Sequence, residues 1–234
     1  MEALDILYED NHLIAVNKKA GMLVQGDKTG DTPLCEQVQQ YLKISGNKPG
    51  QAFCGVIHRI DRPVSGVTLF ARTSKALSRM NEHLRQRHLE KIYWAIVSKC
   101  PDPTEATLVH YLKRIEKTNL SLISPTEKEG YQRAELQYRL IGQSERYFLL
   151  EVKLITGRHH QIRAQLAAIG CPIKGDLKYG AARSNPDASI SLHSRRMLFT
   201  HPVTHQEIRI EAPVPQDPLW QYFETMYSDL YTKS

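Results

Sequence analysis

Four cysteines in 234 residues, Cys35, Cys54, Cys100 and Cys171, fall at no paired spacing. That excludes a disulfide framework and a cysteine zinc site, and a reducing cytoplasm fits best. No apolar run approaches the ~20 residues needed to cross a bilayer. The amino-terminal stretch carries Glu2, Asp5, Glu9 and Asp10 where a secretory leader needs basic residues. A membrane partner is therefore not expected. Also missing are a glycine-rich phosphate loop, a dinucleotide fingerprint and the Asp-Phe-Gly of protein kinases. His193, His201 and His205 have no acidic residue grouped with them, and their spacing matches no metal-ligand pattern. No metal and no cofactor are expected.

What is present is a modest basic excess. Lys and Arg number 31 against 25 Asp and Glu, a formal charge of +6, which favours a polyanionic partner. The length suffices to bury a core without staples, and a single domain over residues 1–234 is expected.

Residues 6–8 and 12–17 predict two short strands around a turn at 9–11. Thr32 before Pro33 predicts a capped helix to Ile44 with Pro33, Leu34, Val38, Tyr41 and Leu42 at helical spacing. Thr73 and Ser74 predict the cap of a second helix over residues 75–87, with Leu77, Met80 and Leu84 on one face. Residues 91–97, rich in β-branched and aromatic side chains, predict a strand. The alternating segments between 104 and 155 predict an antiparallel meander, with the charged stretch 116–128 as a surface excursion. A third helix is expected from Arg158 to Ile169, ended by Gly170, with Ile162, Leu166 and Ile169 buried. Residues 192–199 and 206–212 read as paired strands. The tail 218–231 reads as an amphipathic helix carrying Leu219, Trp220, Phe223, Met226 and Leu230.

The chemistry concentrates between Cys54 and Thr73. An apolar run breaks at His58-Arg59-Ile60-Asp61-Arg62-Pro63 and resumes after Ser65-Gly66 as a strand. Pro63 and Gly66 make the break a tight, specific loop. Asp61 stands next to Arg62 and two residues after Arg59, and a guanidinium packed against its carboxylate would keep it ionised. An ionised, oriented carboxylate can act as a nucleophile or base. Taken alone, an Asp in a loop is more often a structural Asp-Arg pair that fixes the loop. Likewise Tyr93 on its strand could be a core tyrosine, and Arg163 at the edge of the third helix could reach along the surface to solvent.

Three separated strings decide between these readings. His58-Arg59-Ile60-Asp61-Arg62-Pro63-Val64-Ser65-Gly66 resembles the signature His-Arg-Leu-Asp-x-x-Thr-Ser-Gly of the RluA-type pseudouridine synthases, with Val64 in place of the commoner Thr. Lys91-Ile92-Tyr93 is similar to that family's second motif, and Thr156-Gly157-Arg158-His159-His160-Gln161-Ile162-Arg163 to its third. The opening from Tyr8 through Val16-Asn17-Lys18 to Gly21 and the stretch Cys171–Gly180 also match, so the resemblance runs from Tyr8 to about Pro213. It implies an α+β catalytic domain of the pseudouridine synthase fold, with a largely antiparallel mixed sheet, flanking helices and a central active-site cleft. It also implies a catalytic domain without the small amino-terminal RNA-binding domain that family members often carry.

The implied activity is isomerisation of uridine to its C-glycoside in ribosomal or transfer RNA, by a cytoplasmic monomer. By resemblance Asp61 is the catalytic carboxylate, Tyr93 lies beside it and Arg163 pairs with it. His58, Arg59, Arg62 and Arg158 are the expected RNA contacts, Arg59 as the residue that fills the space of a flipped base. A catalytically silent RNA-binding protein of the same fold is the alternative. A glycoside hydrolase would need a second carboxylate in a comparable setting, and the sequence offers none.

Overall fold

The computed structural model describes residues 4–27, 30–47 and 49–231. The chain forms two compact units, one of residues Met1–Glu90 with Ser194–Pro213, the other of Lys91–His193 with Val214–Ser234.

In the first unit, β1 (Ile6–Glu9) and β2 (Leu13–Lys18) pair antiparallel. Their turn is fixed by Asp10, whose Oδ1 accepts from the backbone N–H groups of His12 and Leu13, both at 2.7 Å. β3 (Gly55–Val56) and β2 both pair antiparallel with β4 (Ser65–Ala71), every residue of which is buried. β4 neighbours β10 (Leu192–Thr200), which carries β11 (Glu207–Glu211) antiparallel. Two helices belong here, α1 (Leu34–Ser45) and α2 (Ser74–Arg85). Leu13, Ala15, Val67, Leu69, Met80 and Phe199 form the centre of this unit's core.

α2 begins as its sequence predicts, with Thr73 Oγ1 accepting from the Ala76 N–H at 3.1 Å. α1 does not. Pro33, expected as its first helical residue, is the cap, with extended ψ of 158° and no side-chain hydrogen bond. Thr32 therefore lies outside the helix, and its carbonyl accepts from the Gln37 side chain instead.

In the second unit, β5 (Leu89–Val97), β6 (Glu105–Ile115), β7 (Leu120–Ser124), β8 (Gln132–Gln143) and β9 (Phe148–Leu154) stand in the order β5-β9-β8-β6-β7 with every pair antiparallel. β7 corrects the sequence reading of 116–128 as an excursion. The charge of that stretch sits in the turns, while Leu120–Ser124 is extended against β6. α3 (Gln161–Ala168) and α4 (Pro218–Tyr231) complete the unit. Trp220 and Phe223 of α4 pack on Trp94, Ile96 and Leu149, with Leu219 and Met226 partly buried against them; the Leu230 side chain lies outside the described residues.

α3 starts three residues later than predicted because His160, its cap, takes a left-handed backbone with φ of 51°. The helices and the antiparallel strands make the chain α+β, as expected.

Candidate active site

The signature loop is anchored at both ends by burial and in its middle by an ammonium. Ile60 and Val64 are buried, flanking a half-exposed Asp61, while Arg59 and Arg62 are exposed. A turn closes across Asp61 through Val64 N–H donating to its carbonyl at 3.0 Å. The carbonyl of Arg62 then accepts from Gly21 N–H at 2.8 Å and from Lys18 Nζ at 3.1 Å.

Lys18 is fully buried at the end of β2, and its Nζ also donates to the carbonyls of Lys19 at 3.0 Å and Met22 at 2.9 Å. Burial pushes its pKa down to about 7, against the pull of the Asp61 carboxylate and with a further push from Arg62. Three carbonyl acceptors need three N–H donors, which only the ammonium carries. The hydrogen bonds thus hold the proton on, beside Asp61. Sequence reasoning passed over Lys18, because a lysine in a strand ordinarily points to solvent.

Gly66 ends the loop, opposite Lys18 in the β2–β4 register. Its φ is +109°, and a Cβ there would stand 2.3 Å from the carbonyl oxygen of Ser194. The glycine of the signature is therefore a requirement of backbone packing.

The two arginines flanking Asp61 have partners of their own. Arg62 forms an ion pair with Asp31 at 2.7 Å, both half-exposed, and Arg59 Nη1 reaches Gln25 Oε1 at 3.4 Å. His58 Nε2 accepts from the Leu69 N–H at 3.1 Å, which ties the ring to β4. Gln25, Cys35, Cys54, Val56, Ile57, His58 and Arg59 line one open pocket. Burial pushes the Cys54 thiol up to about 12, with Cys35 contributing, which disfavours the thiolate there.

In the second unit, Tyr93 is buried on β5 opposite Val152. Lys91 stands two residues earlier on the same face of the strand. Burial lowers its affinity for a proton, and its Nζ lies close to Gly157 of the third motif, 3.4 Å from where a Cβ would stand.

The start of α3 is built by Gln161. Its Oε1 accepts from Thr156 Oγ1 at 2.7 Å and from Arg158 N–H at 2.9 Å, and its Nε2 donates to the Glu135 carbonyl at 3.0 Å. These bonds tie the first residue of the helix to the segment before it and to β8, where His160 supplies no side-chain cap. Arg158 is exposed and donates through Nε to the Arg133 carbonyl at 3.1 Å. Arg163, by contrast, is 4% exposed. It donates through Nε and Nη2 to the two carboxylate oxygens of Asp176, at 2.7 and 2.8 Å. The surface-arginine reading is thereby overturned, since burying a guanidinium requires the carboxylate that Asp176 supplies. Sequence reasoning missed Asp176, although it stands within the matching stretch Cys171–Gly180.

The carbon of this guanidinium lies over the Tyr179 ring, 5.1 Å from its centroid. Tyr179 Oη accepts from Ser121 N–H at 2.8 Å and lies 2.9 Å from His160 Nδ1. The His159 ring stacks on that of His160 and bonds Ser121 Oγ and Asn119 Oδ1.

The fold is that of the pseudouridine synthases. Human RNA Pseudouridylate Synthase Domain Containing 4 matches at a TM-score of 0.77 and 22% identity, over 95% of this chain and 92% of that one. Residues 12–168 match the family described as RNA pseudouridylate synthase. The chain belongs to that family, an RNA pseudouridine synthase and hence an isomerase, and its relatives are of the RluA type that the three motifs resemble. One is the tRNA pseudouridine synthase C of Vibrio parahaemolyticus, 31% identical over 96% of this chain and 95% of its own length. Another is the ribosomal large subunit pseudouridine synthase D of Xylella fastidiosa, 35% identical over 92% of this chain and 67% of its own. Among the described residues, no helix is long and apolar enough to cross a membrane.

Proposed function

We propose that this protein isomerises uridine in ribosomal or transfer RNA as a cytoplasmic monomer, with residues 1–234 acting as one catalytic domain. Asp61 supplies the carboxylate that starts cleavage of the C1′–N1 bond, by attack at C1′ or by taking the C2′ proton. The uracil then turns, rejoins through C5 and loses the C5 proton. Tyr93 packs against the base and excludes water, and Arg163 orients the carboxylate and keeps it charged.

The observation that carries this reading is the setting of Asp61. It is half-exposed in a loop held rigid by buried neighbours and by Lys18, which suits a carboxylate meant to meet a substrate in one orientation. Extruding the target nucleotide costs a few kcal/mol, offset by contacts to the flipped base. Arg59 fills the vacated space, and Arg62, Arg158 and His58 contribute contacts to the RNA around it.

The test is conversion of uridine in a stem-loop RNA by the purified protein, against Asp61→Asn. The variant should bind RNA as the wild type does and convert none. If it converts at a comparable rate, Asp61 is not the catalytic group. If wild type and variant both bind RNA and neither converts any of a set of ribosomal and transfer RNA stem-loops, the silent RNA-binding reading takes its place.

A further inference from the structure

We propose that Asp176 is the positioning residue for Arg163, with Tyr179 as its second support. The inference rests on the reading that Arg163 serves the catalytic carboxylate, and it adds how that arginine is aimed. A guanidinium on a flexible stem can present any of its edges, and the geometry here leaves one choice. Asp176, 1% exposed, takes the Nε and Nη2 edge through both oxygens. Such a side-on fork fixes the plane as well as the place of the group. The guanidinium carbon lies over the Tyr179 ring, 5.1 Å from its centroid, which gives the cation a second neighbour.

The supports are themselves held. Leu177–Tyr179 is a single 3₁₀ turn whose Tyr179 N–H donates to the Asp176 carbonyl at 3.1 Å, and Ala181 N–H donates to the same carbonyl at 3.0 Å. One short turn thus carries both the carboxylate and the ring. Tyr179 Oη is fixed in turn by Ser121 and His160, so the hydrogen bonding runs from the β6–β7 hairpin through Tyr179 to the cap of α3. Nη1 is presented in one fixed direction.

A buried ion pair of this kind also has a purely structural explanation, in which Asp176 does no more than neutralise a buried cation. The two differ in what they do to turnover by folded protein. We would measure single-turnover uridine conversion, RNA affinity and thermal unfolding for Asp176→Asn, Tyr179→Leu, Arg163→Met and Asp61→Asn, each assayed well below its own melting temperature. Positioning predicts that Asp176→Asn converts on the order of 10- to 100-fold more slowly, with RNA affinity unchanged. It also predicts that Asp176→Asn adds little to the loss already caused by Arg163→Met, because it acts through that residue.

Conversion by folded Asp176→Asn within about 3-fold of wild type would overturn the inference, as would a loss matched by weaker RNA binding. If Asp176→Asn does not fold, Tyr179→Leu decides, since it keeps the ion pair and removes the ring together with the hydroxyl that Ser121 and His160 hold. A slower rate at unchanged affinity supports positioning and a wild-type rate refutes it. Asp61→Asn keeps the two levels apart. Inactive Asp61→Asn beside fully active Asp176→Asn sinks this inference alone, whereas active Asp61→Asn sinks the reading beneath it.

Discussion

Lys18 donates to the carbonyl of Arg62, so the residue that follows the candidate catalytic carboxylate is fixed by an ammonium forty-four positions earlier in the chain. This bond joins the end of β2 to the signature loop without using the Asp61 side chain. The loop's geometry is thereby set from below, while its carboxylate stays half-exposed.

Lys18→Met should leave the carbonyls of Lys19 and Met22 without this donor, and that of Arg62 with the Gly21 N–H alone. At about 1 kcal/mol or more for each orphaned group, a loss of about 2 kcal/mol or more is expected. Urea denaturation checks it. A midpoint within experimental scatter of wild type would show that water replaces the ammonium at no cost.

Gly66→Ala should be more damaging than its single added methyl suggests. The new Cβ would meet backbone, not a side chain that can swing away, and the φ of +109° is one that alanine resists. Loss of more than about 3 kcal/mol is expected from strain and overlap together. Soluble expression and thermal unfolding measure it, and a variant as stable as wild type would mean that β4 and the Ser194 backbone can separate cheaply.

Tyr93 divides into two roles that a pair of variants can separate. If the hydroxyl moves a proton, Tyr93→Phe should stall conversion after the glycosidic bond has changed. If the ring only packs on the base, Phe should convert at close to the wild-type rate and Tyr93→Ala should not. Single-turnover rates with product analysis give the answer. Equal, wild-type rates for both variants would remove Tyr93 from the site.

The strands, the helices and the Asp61 loop were legible because their signals are local. Pro63 and Gly66 announce a specific turn, Thr73 a helix start, and the alternation between 104 and 155 an antiparallel meander. What escaped depends on contacts distant in sequence. Arg163 looked like an edge residue because helical spacing says which face it shares, but not that Asp176, thirteen residues on, will bury with it. Lys18 and β7 escaped for the same reason. A buried ammonium is recognisable only once its carbonyls are assembled, and Leu120–Ser124 is short enough that flanking charge conceals it. The third helix was placed too early because a left-handed His160 is not something composition predicts.

His160 gives the chain a testable dependence on pH. Burial, with the positive charges of Arg163, His159, Lys178 and Arg114, pushes its pKa down to about 2. Tyr179 Oη receives the Ser121 N–H, so its own proton is directed at His160 Nδ1, and the neutral ring is the form that this network fits. In the unfolded chain a histidine takes its proton near pH 6.5. Because the folded value is depressed, His160 costs nothing above about pH 6.5, and stability falls as the pH drops below that point, where only the unfolded chain binds the proton. The loss reaches up to about 2 kcal/mol at pH 5, from 1.5 pH units at about 1.4 kcal/mol each. His160→Gln should therefore lose less stability than wild type between pH 7 and pH 5, whatever its stability at pH 7. Urea midpoints at the two pH values measure the difference. Parallel curves for wild type and variant would show that His160 gains its proton in the folded protein as readily as in the unfolded one.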